Sequence, residues 1–285
     1  MTENIHNTVV DNIKEMQALS SSMKKEGRII SFVPTMGALH EGHLSLMKAA
    51  KDKGDFLVVS IFVNPTQFGP NEDFDKYTRD LDRDIEKIKQ IGVDAVFFPN
   101  VKEIYPERFE TYVELKELQK PLCGQFRPGH FKGVATVVLK LFNIVKPDIA
   151  VFGEKDYQQL LIIKKMVRDL HLEIDIIGMP IVREEDGLAL SSRNAYLSEG
   201  DRTRGLALSE SLREIKNRFN QGNKDIGDLI HLGMEILSRS SIYEVDYFEI
   251  RDGRTLEAKQ EAQTGDVVAI AAKVGNARLI DNTKL

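Results

Sequence analysis

The chain has 285 residues, which is longer than most single compact domains, so two domains are expected. With 42% hydrophobic and 29% charged residues it has the composition of an ordinary globular protein, which excludes a chain that stays disordered. The formal net charge of −5 lacks the basic excess that duplex nucleic acid favours, so no nucleic-acid partner is expected. The one cysteine, Cys123, rules out an intramolecular disulfide and a cysteine zinc cluster.

The first residues and the apolar runs of the chain indicate where in the cell the protein is located. Residues 1–6 (MTENIH) are polar and carry no apolar signal-peptide core. The longest apolar runs, such as residues 56–63, are far too short to cross a bilayer. We therefore expect no membrane partner and a cytoplasmic location.

The first two thirds of the chain alternate short β-rich runs with helical stretches. The runs that predict strands are residues 28–33, 56–63, 95–98, 149–152 and 173–177. The stretches with helical apolar spacing are a segment with Leu44, Met47 and Lys51 on one face, and residues 81–91, 134–145 and 157–170. Strands that alternate with helices predict a parallel sheet with right-handed crossovers.

The pattern changes after residue 179. The elements predicted beyond it are two polar amphipathic helices and two strands, at residues 199–219, 225–238, 245–250 and 267–274. The predicted fold class is therefore α/β: a Rossmann-like parallel-sheet domain over residues 1–179, followed by a smaller α+β C-terminal domain over residues 180–285.

A polar segment follows the first predicted strand. Residues 34–43 (PTMGALHEGH) join that strand to a helix, which is where parallel sheets bind ligands. A helix N-terminus suits phosphate, and Gly37 and Gly42 permit a close backbone approach. His40 and His43 could donate hydrogen bonds to charge that develops on a phosphate. Surface or capping histidines are an equally good local interpretation, and zinc would need a third ligand and the i, i+4 spacing that this pair lacks.

Two amides and a basic loop come next. Asn64 and Gln67 directly follow the most apolar strand, where amides could orient hydroxyl or carboxylate groups of a substrate. A plain turn is the local alternative. Residues 127–133 (RPGHFKG) form a basic loop that opens a helix, and Arg127 and His130 make it a candidate anion site.

Two later segments also carry groups that suit phosphate. Residues 153–159 (GEKDYQQ) join a strand to a helix, and Lys155 could counter phosphate charge while Asp156 caps the helix. A capped helix with a solvated lysine fits equally well. In residues 190–194 (LSSRN), two hydroxyls and the Arg193 guanidinium form a compact phosphate-binding set that could close over a nucleotide, with an ordinary loop as the alternative.

Together these segments resemble the pantoate–β-alanine ligase family, also called pantothenate synthetases. The segments that match in order and spacing are PTMGALHEGH, VNPTQFG, RPGHFKGVATVVLK, FGEKDYQQL and SSRN. Residues 40–43 correspond to the HxGH signature of the wider nucleotidyl-transferase superfamily, and residues 190–193 resemble its mobile KMSKS-type segment. The resemblance runs from Ile30 through Tyr196 and is weaker in the C-terminal part.

The resemblance implies an ATP-dependent ligase that acts on small molecules. The carboxylate of (R)-pantoate would attack the α-phosphorus of ATP, giving bound pantoyl adenylate and pyrophosphate. The amine of β-alanine would then attack the acyl carbon, giving pantothenate and AMP. Mg²⁺ would arrive on the ATP phosphates, and no acidic cluster in the sequence marks protein ligands for it. A homodimer is expected from the resemblance alone.

The resemblance also implies roles for individual residues. The residues expected to be catalytic, by stabilising charge at the phosphates, are His40, His43, Lys155 and Arg193. His43 is also a candidate proton donor. The residues expected to bind ATP are Met36, Gly37, Ala38, Leu39, His40, Glu41, Gly42, His43, Gly153, Glu154, Lys155, Asp156, Val182, Leu190, Ser191, Ser192 and Arg193. The residues expected to bind pantoate or β-alanine are Gln67, Gln159, Asn64, Arg127 and His130. Leu190 stands where Met is expected, an exchange of two apolar side chains of similar volume.

Other functions stay open at this point. The nearest alternative is another HxGH nucleotidyl transferase with a different acceptor. A tRNA-charging enzyme is less favoured, because the second domain is small and the net charge is negative. A non-catalytic nucleotide sensor on the same fold is a further alternative, although adenine recognition alone needs neither the histidine pair nor Lys155.

Overall fold

The computed structural model describes residues 8–70 and 72–285. Its strands are β1 (Thr8–Val10), β2 (Ile30–Thr35), β3 (Phe56–Ile61), β4 (Ala95–Phe97), β5 (Ile149–Gly153), β6 (Asp175–Met179), β7 (Val245–Arg251), β8 (Val267–Val274) and β9 (Ala277–Lys284). Its α-helices are α1 (Ile13–Lys25), α2 (Glu41–Lys51), α3 (Leu81–Lys89), α4 (Val101–Ile104), α5 (Cys123–Phe126), α6 (His130–Val145), α7 (Tyr157–Asp169), α8 (Glu199–Asn220) and α9 (Ile226–Arg239). Short 3-10 helices are formed by Pro65–Gln67, Glu154–Asp156 and Ser192–Tyr196.

The chain forms two compact units. The first unit comprises three segments of the chain: the residues up to Leu115, Arg127–Glu154 and Ile162–Pro180. The stretches of the second unit are Lys116–Phe126, Lys155–Leu161 and Ile181–Leu285. Within the described residues, no helix is both long enough and apolar enough to span a membrane.

The first unit contains a parallel sheet in the order β1-β4-β3-β2-β5-β6. All residues of β3 are buried, as expected of a central parallel strand that is covered on both faces. Leu44, Met47 and Ala50 of α2 recur at helical spacing and are buried against the sheet. The sheet residues in this core include Val33, Leu57, Val59, Val96 and Val151. The predicted Rossmann-like parallel sheet is confirmed.

The second unit contains an antiparallel sheet in the order β7-β8-β9. Its central strand β8 is buried at every residue except Lys273. The helix residues that pack in this core are Ala207, Leu208, Leu212, Ile215, Phe219, Leu229, Ile236 and Leu237. The apolar faces of α8 and α9 and the inner face of the sheet therefore build one hydrophobic core, the predicted α+β arrangement.

Several boundaries differ from the sequence prediction. Strand β2 extends to Thr35, two residues further than predicted, so Thr35 belongs to the sheet. Helix α6 begins at His130, four residues before the predicted start. Its first four residues contain one apolar side chain, Phe131, and so lack the apolar spacing seen from Val134 onward. Helices α1, α4 and α5 and strands β1 and β9 were not predicted. The three residues of β1 are too few to show an alternation, and β9 carries an Asp-Asn pair that is atypical of a strand.

Candidate active site

The turn after β2 has a left-handed backbone. Gly37 has φ +81° and Ala38 has φ +51°. A Cβ atom on Gly37 would lie 2.9 Å from Oδ2 of Asp84, so this position has no room for a side chain. Thr35 joins the turn to the sheet, because its hydroxyl donates to the carbonyl of Ser60 (2.7 Å) and accepts the N–H of Gly37 (3.2 Å).

A buried carboxylate on α3 holds the next residues of this turn. Asp84 accepts the main-chain N–H of Ala38 at 2.9 Å and that of Leu39 at 2.8 Å, and Lys87 donates to the Leu39 carbonyl. Burial raises the pKa of Asp84, although these two hydrogen bonds oppose the rise. The N–H groups of residues 37–39 are thus used inside the protein. An anion could instead be bound at the N-terminus of α2, where the helix dipole has its positive end. There the N–H of His43 donates to the carbonyl of His40 at 2.8 Å.

The histidine pair lies at the start of α2. The rings of His40 and His43 are 4.0 Å apart between centroids, and the main-chain N–H of His40 donates to Nδ1 of His43 at 3.3 Å. Because Nδ1 is an acceptor here, the neutral His43 ring carries its proton on Nε2. The local fold therefore makes Nε2 of His43 a hydrogen-bond donor.

The amides after β3 form a connected group. Asn64 is 1% exposed, and its side-chain amide donates to Oε1 of Gln67 (3.0 Å) and to the carbonyl of Gly133 (3.2 Å). Nε2 of Gln67 donates to the sulfur of Met36 at 3.1 Å. Asn64 is thus a buried support that orients Gln67, and two predicted site residues, Met36 and Gln67, are in contact.

The basic loop over residues 127–133 is hydrogen-bonded to the turn after β3, which contains Gln67. The guanidinium of Arg127 donates to Glu72 (2.7 Å), to Nε2 of His130 (3.1 Å) and to the carbonyl of Gln67 (3.2 Å). With Nε2 accepting, neutral His130 carries its proton on Nδ1, which donates to the same Gln67 carbonyl at 2.8 Å. Burial alone would raise the pKa of Glu72, but the Arg127 guanidinium lowers it. The charge of Arg127 is balanced inside the protein by this carboxylate.

Two supports of this group were missed by the sequence reasoning. The hydroxyl of Tyr105 donates to Oδ1 of Asn64 at 2.8 Å, and burial raises the pKa of Tyr105 to about 12. Helix α6 passes so close to the turn that a Cβ atom on Gly133 would lie 2.3 Å from the carbonyl oxygen of Thr66. Tyr105 lies in a stretch without a motif, so no sequence signal marks it, whereas Gly133 lies within a segment that the resemblance covers.

In the second unit, Lys155 follows β5, which ends at Gly153. It lies in the 3-10 helix Glu154–Asp156, and its main-chain carbonyl accepts the side-chain amide of Asn282 at 2.9 Å. This strand-to-helix position agrees with the sequence prediction. The contact with Asn282, 127 residues later, is a feature of the tertiary structure alone.

Two glutamines stand side by side on the first turn of α7. Gln159 is half-buried, whereas its neighbour Gln158 is 7% exposed. The amide of Gln158 accepts from the N–H of Cys123 (3.1 Å) and donates to the carbonyls of Leu118 (2.9 Å) and Pro121 (2.7 Å). Gln158 therefore fixes the loop over residues 118–123, and no sequence signal separates its role from that of Gln159.

The segment before the predicted phosphate-binding loop is a hairpin. The N–H of Leu190 donates to the carbonyl of Val182 at 3.0 Å, and Arg183 forms an antiparallel bridge with Ala189. Arg183 also makes a two-pronged ion pair with Asp281 of β9, at 2.7 and 2.9 Å, and the Asp281 side chain is 3% exposed. The hairpin thus brings Val182 and Leu190, both predicted to bind ATP, next to each other.

The loop itself is ordered by internal hydrogen bonds. The hydroxyl of Ser191 accepts the N–H of Arg193 at 3.2 Å, and the amide of Asn194 donates to Glu184 (2.9 Å) and to the carbonyl of Ala189 (3.1 Å). A small cavity in this unit is lined by Lys155, Leu188, Ala189, Ser191, Asn194, Leu208, Leu279, Ile280 and Asp281. Two predicted ATP-binding residues, Lys155 and Ser191, therefore share one cavity.

A parallel α/β sheet whose polar loops follow the carboxyl ends of its strands, with an oriented imidazole and an oriented amide, defines a Rossmann-like ligand-binding enzyme. A family model described as pantoate-beta-alanine ligase matches residues 8–284. The chain belongs to the pantoate–β-alanine ligase family.

Individual relatives agree with this assignment. The pantothenate synthetase of Pelobacter propionicus is 51% identical over 277 residues, which cover 97% of this chain and 98% of that protein. The crystal structure of pantothenate synthetase from Thermus thermophilus matches with a TM-score of 0.91 at 42% identity, covering 97% and 99% of the two chains. A pantoate-beta-alanine ligase from Francisella tularensis, described as a complex with β,γ ATP and β-alanine, matches with a TM-score of 0.81 at 38% identity, covering 97% of both chains.

Family membership confirms the resemblance that the five sequence segments suggested. It makes the chain a ligase that forms an amide bond, and it decides against the nucleotidyl transferase, tRNA-charging and sensor alternatives.

Proposed function

We propose that this enzyme condenses (R)-pantoate with β-alanine in an ATP-dependent reaction that passes through a bound pantoyl adenylate. A carboxylate oxygen of pantoate attacks the α-phosphorus of ATP, and pyrophosphate leaves. The β-alanine amine then attacks the acyl carbon, the bond from that carbon to the adenylate oxygen breaks, and AMP leaves with this oxygen. The names of the relatives and the β,γ ATP and β-alanine in the Francisella tularensis complex support this assignment.

The observation that carries the proposal is the orientation of His43. The first step brings a carboxylate to an anionic phosphate, so it needs donors that stabilise negative charge without reorganising. Nδ1 of His43 accepts the His40 N–H at 3.3 Å, which leaves Nε2–H as such a donor. The N-terminus of α2 adds the positive end of the helix dipole next to the ring. We assign ATP binding in the first unit to residues 36–43 and 153–154. His40 and His43 would stabilise negative charge on the phosphates.

Gln67 is the proposed pantoate-binding amide of the first unit. Its Nε2 is directed at the sulfur of Met36 at 3.1 Å. A thioether sulfur is a weak acceptor, so a hydroxyl or carboxylate oxygen of the substrate would be a better partner for this N–H. Asn64, Arg127 and His130, which hold the side chain and the carbonyl of Gln67, are proposed to serve the substrate through it.

The predictions for the second unit are proposed residue by residue. Lys155 would lie nearest the phosphates of ATP, and Asp156 would contact the nucleotide. Ser191, Ser192 and Arg193 would close over the triphosphate. Val182 and Leu190 would contact the adenine end, and Gln159 would bind pantoate. Mg²⁺ enters as part of the MgATP substrate. Among residues 8–70 and 72–285, no three His, Cys, Asp or Glu side chains are grouped so as to hold a metal ion.

We also propose a division of function between the domains, a homodimer and a cytoplasmic location. The functional division assigns ATP and pantoate binding to residues 1–179 and a lid to residues 180–285. The homodimer would be tested by sedimentation at micromolar concentration, where a monomer would contradict it. The cytoplasmic location predicted from the sequence is to be tested by fractionation of cells.

The deciding experiment follows an oxygen label. Purified enzyme is supplied with ATP, β-alanine and (R)-pantoate carrying ¹⁸O in its carboxylate, and AMP, pyrophosphate and pantothenate are measured. We expect the three products in equal amounts, with one ¹⁸O transferred to the phosphate of AMP. Formation of ADP and phosphate, or AMP without label, would contradict the adenylate. Omitting pantoate is the control, and no AMP should then form.

A further inference from the structure

Two consecutive residues of β9 connect the parts of the second unit that are proposed to act on ATP. Asn282 donates its side-chain amide to the main-chain carbonyl of Lys155 at 2.9 Å. The Asp281 carboxylate accepts hydrogen bonds from both Nη atoms of Arg183, at 2.7 and 2.9 Å. Its Oδ1 also accepts the main-chain N–H of Asn282 at 2.8 Å. Asp281 is 4% exposed and Asn282 is 6% exposed.

The ion pair of Asp281 reaches the phosphate-binding loop through the hairpin. Arg183 donates to the Gly187 carbonyl at 3.1 Å in addition to binding Asp281. The same hairpin ends at Leu190, one residue before Ser191. Asp281, Lys155 and Ser191 also line one cavity. A shift of β9 would therefore move both the lysine and the serine.

We propose that Asn282 and Asp281 are positioning residues for adenylate formation: Asn282 sets the place of Lys155, and Asp281, through Arg183, sets the place of the loop that begins at Ser191. This proposal rests on the proposed function. Two buried side chains with fully directed hydrogen bonds hold their partners more firmly than a surface contact, because leaving any of these groups unpaired is costly. Misplacing a charge-stabilising group by about 1 Å costs up to about 100-fold in rate.

The test measures the first step by pyrophosphate release in the presence of ATP and pantoate. We expect Asn282→Ala to slow this step by about 10-fold to 100-fold. Thr283→Ala, the next residue of the same strand, is the matched control and should behave as wild type. Thermal unfolding of each variant shows whether the folded state is retained at the assay temperature.

A double variant separates positioning from a general structural effect. If Asn282 acts through Lys155, then Lys155→Ala/Asn282→Ala should be no slower than Lys155→Ala alone, because the group that Asn282 positions is gone. Multiplication of the two single effects would overturn the proposal for Asn282. Asp281→Asn, which keeps the shape but removes the charge that holds Arg183, should raise the KM of ATP, and an unchanged KM would overturn the proposal for Asp281.

The outcomes distinguish this proposal from the proposed function. A wild-type enzyme that makes no AMP from ATP and pantoate would remove the function and the inference together. A wild-type enzyme that makes pantothenate and AMP, with Asn282→Ala and Asp281→Asn as active as Thr283→Ala, would remove the inference alone.

Discussion

The carboxylate of Asp84 accepts the main-chain N–H of Leu39 at 2.8 Å, although the two residues are 45 positions apart in the sequence. Its second oxygen accepts the N–H of Ala38 at 2.9 Å. Helix α3 thus holds the turn that leads into the histidine pair, and the left-handed backbone of this turn depends on a residue that no motif includes.

Asp84→Asn should weaken this turn. An amide presents one oxygen where the carboxylate presents two, so one buried main-chain N–H would face an NH₂ group, and we expect the free energy of unfolding to fall by about 1–3 kcal/mol. Urea denaturation followed by circular dichroism measures the change. Asp82→Asn, an exposed position on the same helix, should stay within about 0.5 kcal/mol of wild type. Equal losses in the two variants would argue against a specific role for Asp84.

Gly133→Ala tests the close approach of α6 to the turn after β3. The added Cβ would lie 2.3 Å from the carbonyl oxygen of Thr66, so one of the two backbones must shift, and we expect a loss of about 1–3 kcal/mol in stability. The KM of pantoate should rise as well, because the displaced turn carries Gln67. Gly200→Ala is the control: its Cβ meets nothing within 4 Å and it lies in α8, where Ala is preferred. A Gly133→Ala enzyme with wild-type stability and KM would contradict the packing argument.

His43→Ala should abolish most of the first step. Loss of one oriented donor to developing charge costs about 10²- to 10³-fold in kcat, and we expect that loss in pyrophosphate release with little change in stability. His231→Ala, which removes a side chain that is 76% exposed, should leave the rate unchanged. The ¹⁵N shifts of the His43 ring in the wild type would show directly whether the neutral ring carries its proton on Nε2. A proton on Nδ1 would refute the hydrogen-bond assignment even if the variant is inactive.

The pair formed by Glu72 and Arg127 should make stability depend on pH in the acid range. Burial raises the pKa of Glu72 but Arg127 lowers it below its ordinary value of 4.5, so the pair's contribution is complete above pH 4.5 and is lost as the pH falls through the lowered pKa. The stability difference between wild type and Glu72→Gln should therefore be largest near neutral pH and should shrink below pH 4.5. Glu117→Gln, in an ion pair whose side chains are 62% and 69% exposed, is the control and should show little pH dependence. A difference between wild type and Glu72→Gln that does not vary with pH would be the opposing result.

The candidate site was predictable where it lies in a continuous motif. Residues 34–43 and 153–159 fall at strand-to-helix junctions in the structure, as their position after apolar runs predicted. Arg127 shows the limit of such reasoning. Its sequence context indicated an anion site, but the guanidinium is bound by Glu72, 55 positions earlier, and nothing in the local sequence specifies that partner. Local composition describes which charges are present, whereas their pairing depends on which segments the fold brings together.

By itself the sequence determined the alternation of strands and helices in the first unit, the parallel sheet and the identity of the family. The strands, helices and parallel sheet follow from the apolar periodicity, and the family follows from short continuous sequence motifs. Only the tertiary structure showed which distant residues hold the site by hydrogen bonds. Asp84 binds the turn before the histidines, Tyr105 binds Asn64, and Asn282 binds Lys155. Each support is a hydrogen bond between residues far apart in sequence, and such a bond leaves no periodic signal because either partner could satisfy its polar group elsewhere.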